Sequence, residues 1–305
     1  LIRVTLQGGI GNQLFQIAFG VANSSSREVI RFVPSKKSDF VPTGDTELIA
    51  NLSKNGYQVE GLDLPTLINK ACNFVMREYS KSQGNRIVPR LAKLVVERYL
   101  RKHKSIERFI PGEGLGFFKL QENSELCSAL AMGYFQTYRW AEESGAEIAR
   151  IVELTRSKLS DNLHREKLSS IVVHVRRGDY DQEGFGFLGP TYYQNGLRIL
   201  QRRIEAQQIL LFSDDVFYAK KVISGITDLP IEIVEDPKDS ALTTLRKMTG
   251  ASGYVIANSS LSWWAAYLSE VPDGMVVAPD KWFKGFKDPQ DLIPHNWIRI
   301  NSNFL

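Results

Sequence analysis

Residues 171–186 read IVVHVRRGDYDQEGFG, an apolar run that breaks into the adjacent arginines Arg176 and Arg177 and then the carboxylates Asp179, Asp181 and Glu183. A planar guanidinium at the end of a buried strand offers a fork of donors suited to a diphosphate, and it stays charged at any working pH. Strand side chains alternate between faces, so Arg176 shares a side with His174 while Arg177 points the other way. Arg176 is therefore the anchor for an anion, and Arg177 is better placed for pairing with a supporting carboxylate such as Asp179. The DYD triplet at 179–181 superficially matches an Asp-x-Asp metal clamp. Adjacent arginines already supply positive charge, so no metal is expected.

Further polar groups stand where other strands should end. NSSLSWW, from Asn258 onward, puts Ser259 and Ser260 at the start of a helix, where backbone amides and the helix dipole favour an anion. Ordinary capping by either serine is compatible with that role, and Trp263 and Trp264 read as packing between helix and sheet. FSDD places Ser213, Asp214 and Asp215 after a strand. One aspartate caps the next helix, and the other is free to accept from a purine edge or a ribose. Near the amino terminus, GGIGNQ carries Gly9 and Gly11 of a dinucleotide fingerprint, but Leu14 stands where the third glycine belongs, which argues against NAD. Its glycines permit close approach of backbone to a ligand, and Asn12 and Gln13 offer amides; the other reading is a tight turn.

These residues need a scaffold that gathers strand ends. From residue 170 onward β-branched runs alternate with helical stretches: strands at 170–175, 208–213, 230–234, 253–258 and 275–279, with helical patterns between them. That alternation predicts an α/β domain with a parallel sheet and crossover helices, whose ligands lie outside the carboxyl ends of the strands. The first half opens with a strand, IRVTL, the glycine turn, and a helix over LFQIAFGVANSSS. The next hundred or so residues are irregular, and a second, looser α/β lobe is the simplest account. The polar segment 155–169 reads as the joint, giving lobes of 1–160 and 161–305.

Composition narrows the class. A chain of 305 residues, 43% hydrophobic, builds its own core without staples. Cys72 and Cys127 are too few for a disulfide framework or a cysteine zinc site, which suits a reduced, cytoplasmic protein. The amino-terminal stretch lacks the uninterrupted apolar core of a signal peptide or a spanning helix. The net charge of +4 is unevenly placed, and residues 86–108 form a basic, helical stretch. It reads as a solvated face or as a surface leaning on an anionic membrane. Aromatics interleaved with its basic residues are scarce, so nucleic acid is not an expected partner.

The segments GGIGNQLFQIAFG, MGYFQTYRW, HVRRGDY, LLFSDDV, IANSSLSWWAAYL, APDKWF and DLIPHNWI resemble, in order and over nearly the whole chain, the α-1,2-fucosyltransferase family (glycosyltransferase family 11-like), which uses GDP-fucose. The resemblance implies a GT-B-type, two-lobed α/β fold with a Rossmann-like parallel sheet in the carboxyl-terminal lobe. It implies an acceptor-side amino-terminal lobe, GDP-fucose as donor substrate, and inverting transfer without a metal or other cofactor. Carried onto this sequence, Arg176 contacts the diphosphate, His174 and Asp215 help hold the nucleotide, Ser259 and Ser260 bind phosphate, and Asn12 lies near the fucose. Arg177 and Asp179 are supports, with Asp179, Asp181 and Glu183 the nearby carboxylates if a base is wanted. The expected acceptor is a galactose-type hydroxyl of an oligosaccharide or lipid-linked glycan. The expected location is the cytoplasm, either free or peripheral on the inner face of the membrane. Two rivals remain: the same scaffold with another linkage or nucleotide sugar, and a non-catalytic nucleotide- or glycan-binding protein.

Overall fold

The computed structural model describes residues 1–34, 46–80, 87–112, 128–154, 170–178, 184–234, 238–285 and 287–305. The chain forms two compact units, Leu1–Glu153 with Pro289–Leu292, and Leu154–Asp288 with Ile293–Leu305. The segment read as a joint, 155–169, lies outside the described residues, as do Cys127, Asp179, Asp181 and Glu183. The return of Pro289–Leu292 to the first unit has no counterpart in the sequence reading.

In the first unit the chain runs β1 (Ile2–Leu6), α1 (Ile10–Ala22), β2 (Ile30–Pro34), α2 (Thr46–Lys54), β3 (Gln58–Val59), α3 (Thr66–Ser80), α4 (Ile87–Lys104), β4 (Arg108–Pro111), β5 (Ala129–Met132) and α5 (Tyr138–Ile151). The sheet order is β3-β2-β1-β5-β4, and every pairing is parallel. Strands of such a sheet are covered on both faces, and Ile2, Val4, Leu6, Phe32, Leu130 and Ala131 are fully buried. Gly20 lets α1 approach closely, since a Cβ there would stand 3.2 Å from Val4 and 3.3 Å from Phe32. The other end of the sheet is covered by α3 and α4, whose Ile68, Cys72, Val75, Val96 and Leu100 pack with Phe109, Leu130 and Met132. Burial pushes the Cys72 thiol up to about 12, which leaves it a protonated core side chain.

The second unit runs β6 (Ser170–Val175), α6 (Pro190–Gln201), β7 (Gln208–Ser213), α7 (Val216–Ser224), β8 (Ile231–Ile233), α8 (Ala241–Met248), β9 (Gly253–Val255), α9 (Ser260–Leu268), β10 (Val276–Pro279) and β11 (Ile298–Ile300). Its sheet order is β11-β10-β9-β6-β7-β8, again wholly parallel. β6 and β7 match the predicted bounds, whereas β9 leaves the ladder after Val255 rather than at Asn258. α6 lies against the sheet at Gly196, where a Cβ would meet Val255 at 2.8 Å, and the buried Tyr192 hydroxyl donates to the Ile256 carbonyl at 2.6 Å. The second order reverses direction at one place, between β6 and β9, whereas in the first β1 and β5 lie side by side without such a reversal. That reversal is a switch point, where open α/β sheets leave a crevice for ligands.

Candidate active site

The switch point of the second sheet gathers the loop after β6 and the turn into α9. His174 lies within β6, is buried, and its Nδ1 has no hydrogen-bond partner among the described residues. Burial, and secondly the Arg176 guanidinium, pull its pKa down to about 3, so the imidazole is neutral at ordinary pH. Arg176 follows the strand, and its guanidinium pairs with Asp214 Oδ2 at 3.0 Å. The other carboxylate oxygen, Oδ1, accepts the backbone N–H of Arg177 at 2.8 Å. Asp214 thus ties the end of β6 to the end of β7 and fixes the direction of the Arg176 fork.

Gly178 explains how that carboxylate comes so close. A Cβ at this position would stand 2.4 Å from Asp214 Oδ2. Arg177 has different surroundings: its guanidinium lies 3.9 Å from the Tyr218 ring centroid and 4.8 Å from that of Phe187, with Asp215 Oδ2 at 3.9 Å. These are packing contacts that hold the loop. Asp215 caps α7 by accepting the Tyr218 N–H at 3.0 Å, and Ser213 Oγ accepts the Asp215 N–H at 3.0 Å. Of the aspartates read as capping or ligand-facing, Asp215 caps, and Asp214 is held by the arginine loop.

At α9 the residue before the helix is Ser259, and its side chain makes no capping hydrogen bond. No acidic side chain occupies the first turn, so nothing there competes for the positive end of the helix. The Asn258 amide donates to the carbonyls of Phe185, Gly186 and Trp282 at 3.3, 3.2 and 3.1 Å. It clamps the loops beside the helix start rather than offering those protons outward. Asp288 completes this floor by accepting the N–H groups of Trp282 and Phe283 at 2.9 and 3.0 Å. Trp263 and Trp264 are fully buried, as packing residues should be. A guanidinium, a neutral imidazole and a helix start whose Ser259 side chain makes no capping bond are groups chemically suited to an anion.

In the first unit the adjacent carboxyl ends of β1 and β5 gather the glycine turn and the loop after β5. The helix begins at Ile10, not Leu14, so Gly11, Asn12 and Gln13 form its first turn rather than a loop. Gly8 carries the positive φ of 79°, and a Cβ there would stand 2.8 Å from Asn12 Nδ2. Gly9 precedes the helix, and no atom of the described residues lies within 4 Å of where its Cβ would be. Asn12 Oδ1 accepts from Gln136 Nε2 at 2.8 Å. Gln13 is buried and donates to the Gly8 carbonyl at 2.9 Å, while its Oε1 has no hydrogen-bond partner among the described residues. Gln16 donates to the carbonyls of Gly133 and Gln7 at 2.9 and 3.2 Å, bridging the ends of β5 and β1. Phe135, with φ of 51° and its ring stacked on Phe19 at 4.0 Å, turns the chain so that Gln136 reaches Asn12. Gln136 and Gly8 are missed by the sequence reading, although GGIGNQ and MGYFQTYRW contain them.

Among the described residues no three His, Cys, Asp or Glu side chains come together as a metal site. Asp179, read as a support and candidate catalytic group, lies outside those residues with Asp181 and Glu183.

The family model of Glycosyl transferase family 11 matches residues 107–301. An alpha-1,2-colitosyltransferase of Escherichia coli is 27% identical, the alignment covering 99% of each chain. The O-antigen biosynthesis glycosyltransferase WbnK of the same species is 25% identical over 97% of this chain and 99% of its own length. Among solved structures, POFUT1 in complex with GDP-fucose is similar with a TM-score of 0.41 at 14% identity, covering 90% of this chain and 96% of that one. The E. coli heptosyltransferase WaaC with ADP gives a TM-score of 0.45 at 13% identity, with coverage of 99% and 94%.

Proposed function

This chain belongs to glycosyl transferase family 11, and from that premise we propose that it moves L-fucose from GDP-fucose to a galactose-type hydroxyl of a glycan in α-1,2 linkage. The acceptor in this reading is an oligosaccharide or a lipid-linked glycan, met in the cytoplasm or at the inner face of the membrane. One observation carries the reading: Arg176, oriented by Asp214, lies at the same sheet switch point as the start of α9.

In the reaction the acceptor oxygen attacks the fucose anomeric carbon as the bond to the β-phosphate oxygen breaks. The electron pair leaves with GDP, and inversion follows from direct attack. The chain's part is to stabilise the leaving diphosphate with a fixed guanidinium and helix-start amides, a role that a metal fills elsewhere. His174 presents a neutral imidazole beside that charge, Ser259 and Ser260 supply hydroxyls, and Asn12, with Gly9 and Gly11, serves the sugar. The proton of the acceptor goes to a base, for which Asp179, Asp181 and Glu183 are the candidates.

The alpha-1,2-colitosyltransferase relative favours a second reading, the same linkage with colitose as the transferred sugar. Calorimetric titration of GDP and GDP-fucose with chelator present, repeated on Arg176→Ala, tests the donor site. Binding of both that collapses in the variant supports an arginine-held diphosphate. Failure of wild type to bind either without a divalent cation overturns the metal-free reading. Parallel turnover assays with fucose- and colitose-bearing donors decide the sugar.

A further inference from the structure

The outward face of α4 is not what a solvated helix should carry. Its buried stripe, Pro89, Val96 and Leu100, faces the core. At about 100° per residue, Leu91, Arg98 and Lys102 fall on the opposite side. There Ile87, Val88, Leu91, Leu94 and Val95 are 61, 58, 57, 60 and 59% exposed. Five of the eight large hydrophobic side chains exposed among the described residues therefore sit within the first half of one helix. Monomeric proteins seldom leave such a cluster in water without a use for it.

The same helix supplies the complement. Arg90, Arg98, Arg101 and Lys102 are exposed around and beyond the aliphatic cluster. The single acid of α4, Glu97, is turned inward: it accepts the Phe109 N–H at 3.0 Å and has Lys93 Nζ at 3.7 Å. The outward face thus joins aliphatic side chains to guanidinium and ammonium groups with no acid among them. From this arrangement we infer that α4 is a docking surface for an anionic lipid bilayer, with Ile87, Val88, Leu91, Leu94 and Val95 at the acyl boundary and Arg98, Arg101 and Lys102 at the phosphates.

An in-plane helix binds a membrane by just this pairing of apolar insertion with charge attraction, and long basic side chains reach up to headgroups while their stems stay apolar. A second copy of this chain would bring another positive face against this one. A nucleic acid would find no exposed aromatic on the helix to stack on, because Tyr99 packs toward the core. The inference stands apart from the choice of donor sugar, since it uses no residue of the switch point or of the glycine turn.

Co-sedimentation with vesicles of phosphatidylglycerol and phosphatidylethanolamine, against phosphatidylcholine alone, is the test. The full chain should partition onto the anionic vesicles, and both a Leu91→Gln/Leu94→Gln/Val95→Gln variant and an Arg98→Glu/Arg101→Glu/Lys102→Glu variant should lose about ten-fold or more of that partition. The altered side chains are exposed, so thermal unfolding and GDP binding should match wild type in both variants. Protein that stays in the supernatant with anionic vesicles at low salt overturns the inference, as does a glutamine variant that binds like wild type. A dimer in sedimentation velocity that the glutamine variant dissolves would assign the face to a second copy and overturn it equally.

Discussion

Arg176 and Arg177 are neighbours with different surroundings, and the difference decides what each substitution should do. Arg176 pairs with the Asp214 carboxylate, while Arg177 lies over the rings of Tyr218 and Phe187. Arg176→Ala should therefore lower GDP-fucose turnover by about 100-fold or more. Arg176→Lys should recover only part of it, because an ammonium keeps the charge and not the fork. Steady-state release of GDP measures both, and unchanged turnover in the alanine variant would remove the assigned role. His174 makes a separate prediction about stability. Its folded pKa of about 3 lies below its ordinary value of 6.5, so between these values the unfolded chain holds a proton that the folded chain refuses. The contribution is complete above that ordinary value and is lost as pH falls toward 3, amounting to about 2 kcal/mol between about pH 7.5 and pH 5. The unfolding free energy of wild type minus that of His174→Gln should shrink by that amount over the same window, and a constant difference would mean the imidazole is not buried neutral. Arg176 and His174 were legible because a strand end announces itself in sequence. The partner of Arg176 was not, because Asp214 meets the loop only through the pairing of β6 with β7, and the need for Gly178 follows from Asp214.

Elements were legible in proportion to how strongly burial marks them. β6 and β7, continuous apolar runs in the middle of a parallel sheet, are found to the residue, while β11, a three-residue edge strand, went unread. β2, β4 and β5 also went unread, because the polar or irregular stretches around them carry no clear period. The start of α1 was placed a turn late, since glycines at 8, 9 and 11 look like a loop although Ile10, Leu14, Phe15 and Ile17 are buried along the helix. The two leading glycines then predict opposite outcomes. Gly8→Ala forces a side chain into the left-handed region and toward Asn12, so it should cost about 1–2 kcal/mol in stability and lower turnover with it. Gly9→Ser meets open space in an extended conformation and places a good capping residue before α1. Its stability should stay within about 0.5 kcal/mol of wild type, so a fall in turnover would report a ligand that approaches the backbone there. Thermal unfolding and turnover measured on both variants separate the cases, and a fully active Gly9→Ser would leave the turn a structural device alone.

At the scale of the whole molecule, each unit has its own parallel sheet and its own buried core. Opening of a folded chain follows such cooperative units, so a ligand held by one unit need not protect the other. GDP carries the diphosphate and lacks the sugar, and in the proposed reading its contacts are Arg176, Ser259 and the groups around them. At about 100 times its dissociation constant it adds about 2.7 kcal/mol to whatever unit must open to release it, roughly a 100-fold slowing of exchange through that opening. Hydrogen exchange with and without GDP should therefore show slowing in β6, β7, β9 and the start of α9, while β1, β2 and β5 exchange as before. Equal slowing in both sheets would mean that the chain opens as one cooperative body. Slowing confined to β1 and β5 would move the diphosphate to the glycine turn and reverse the assignment of donor and acceptor units.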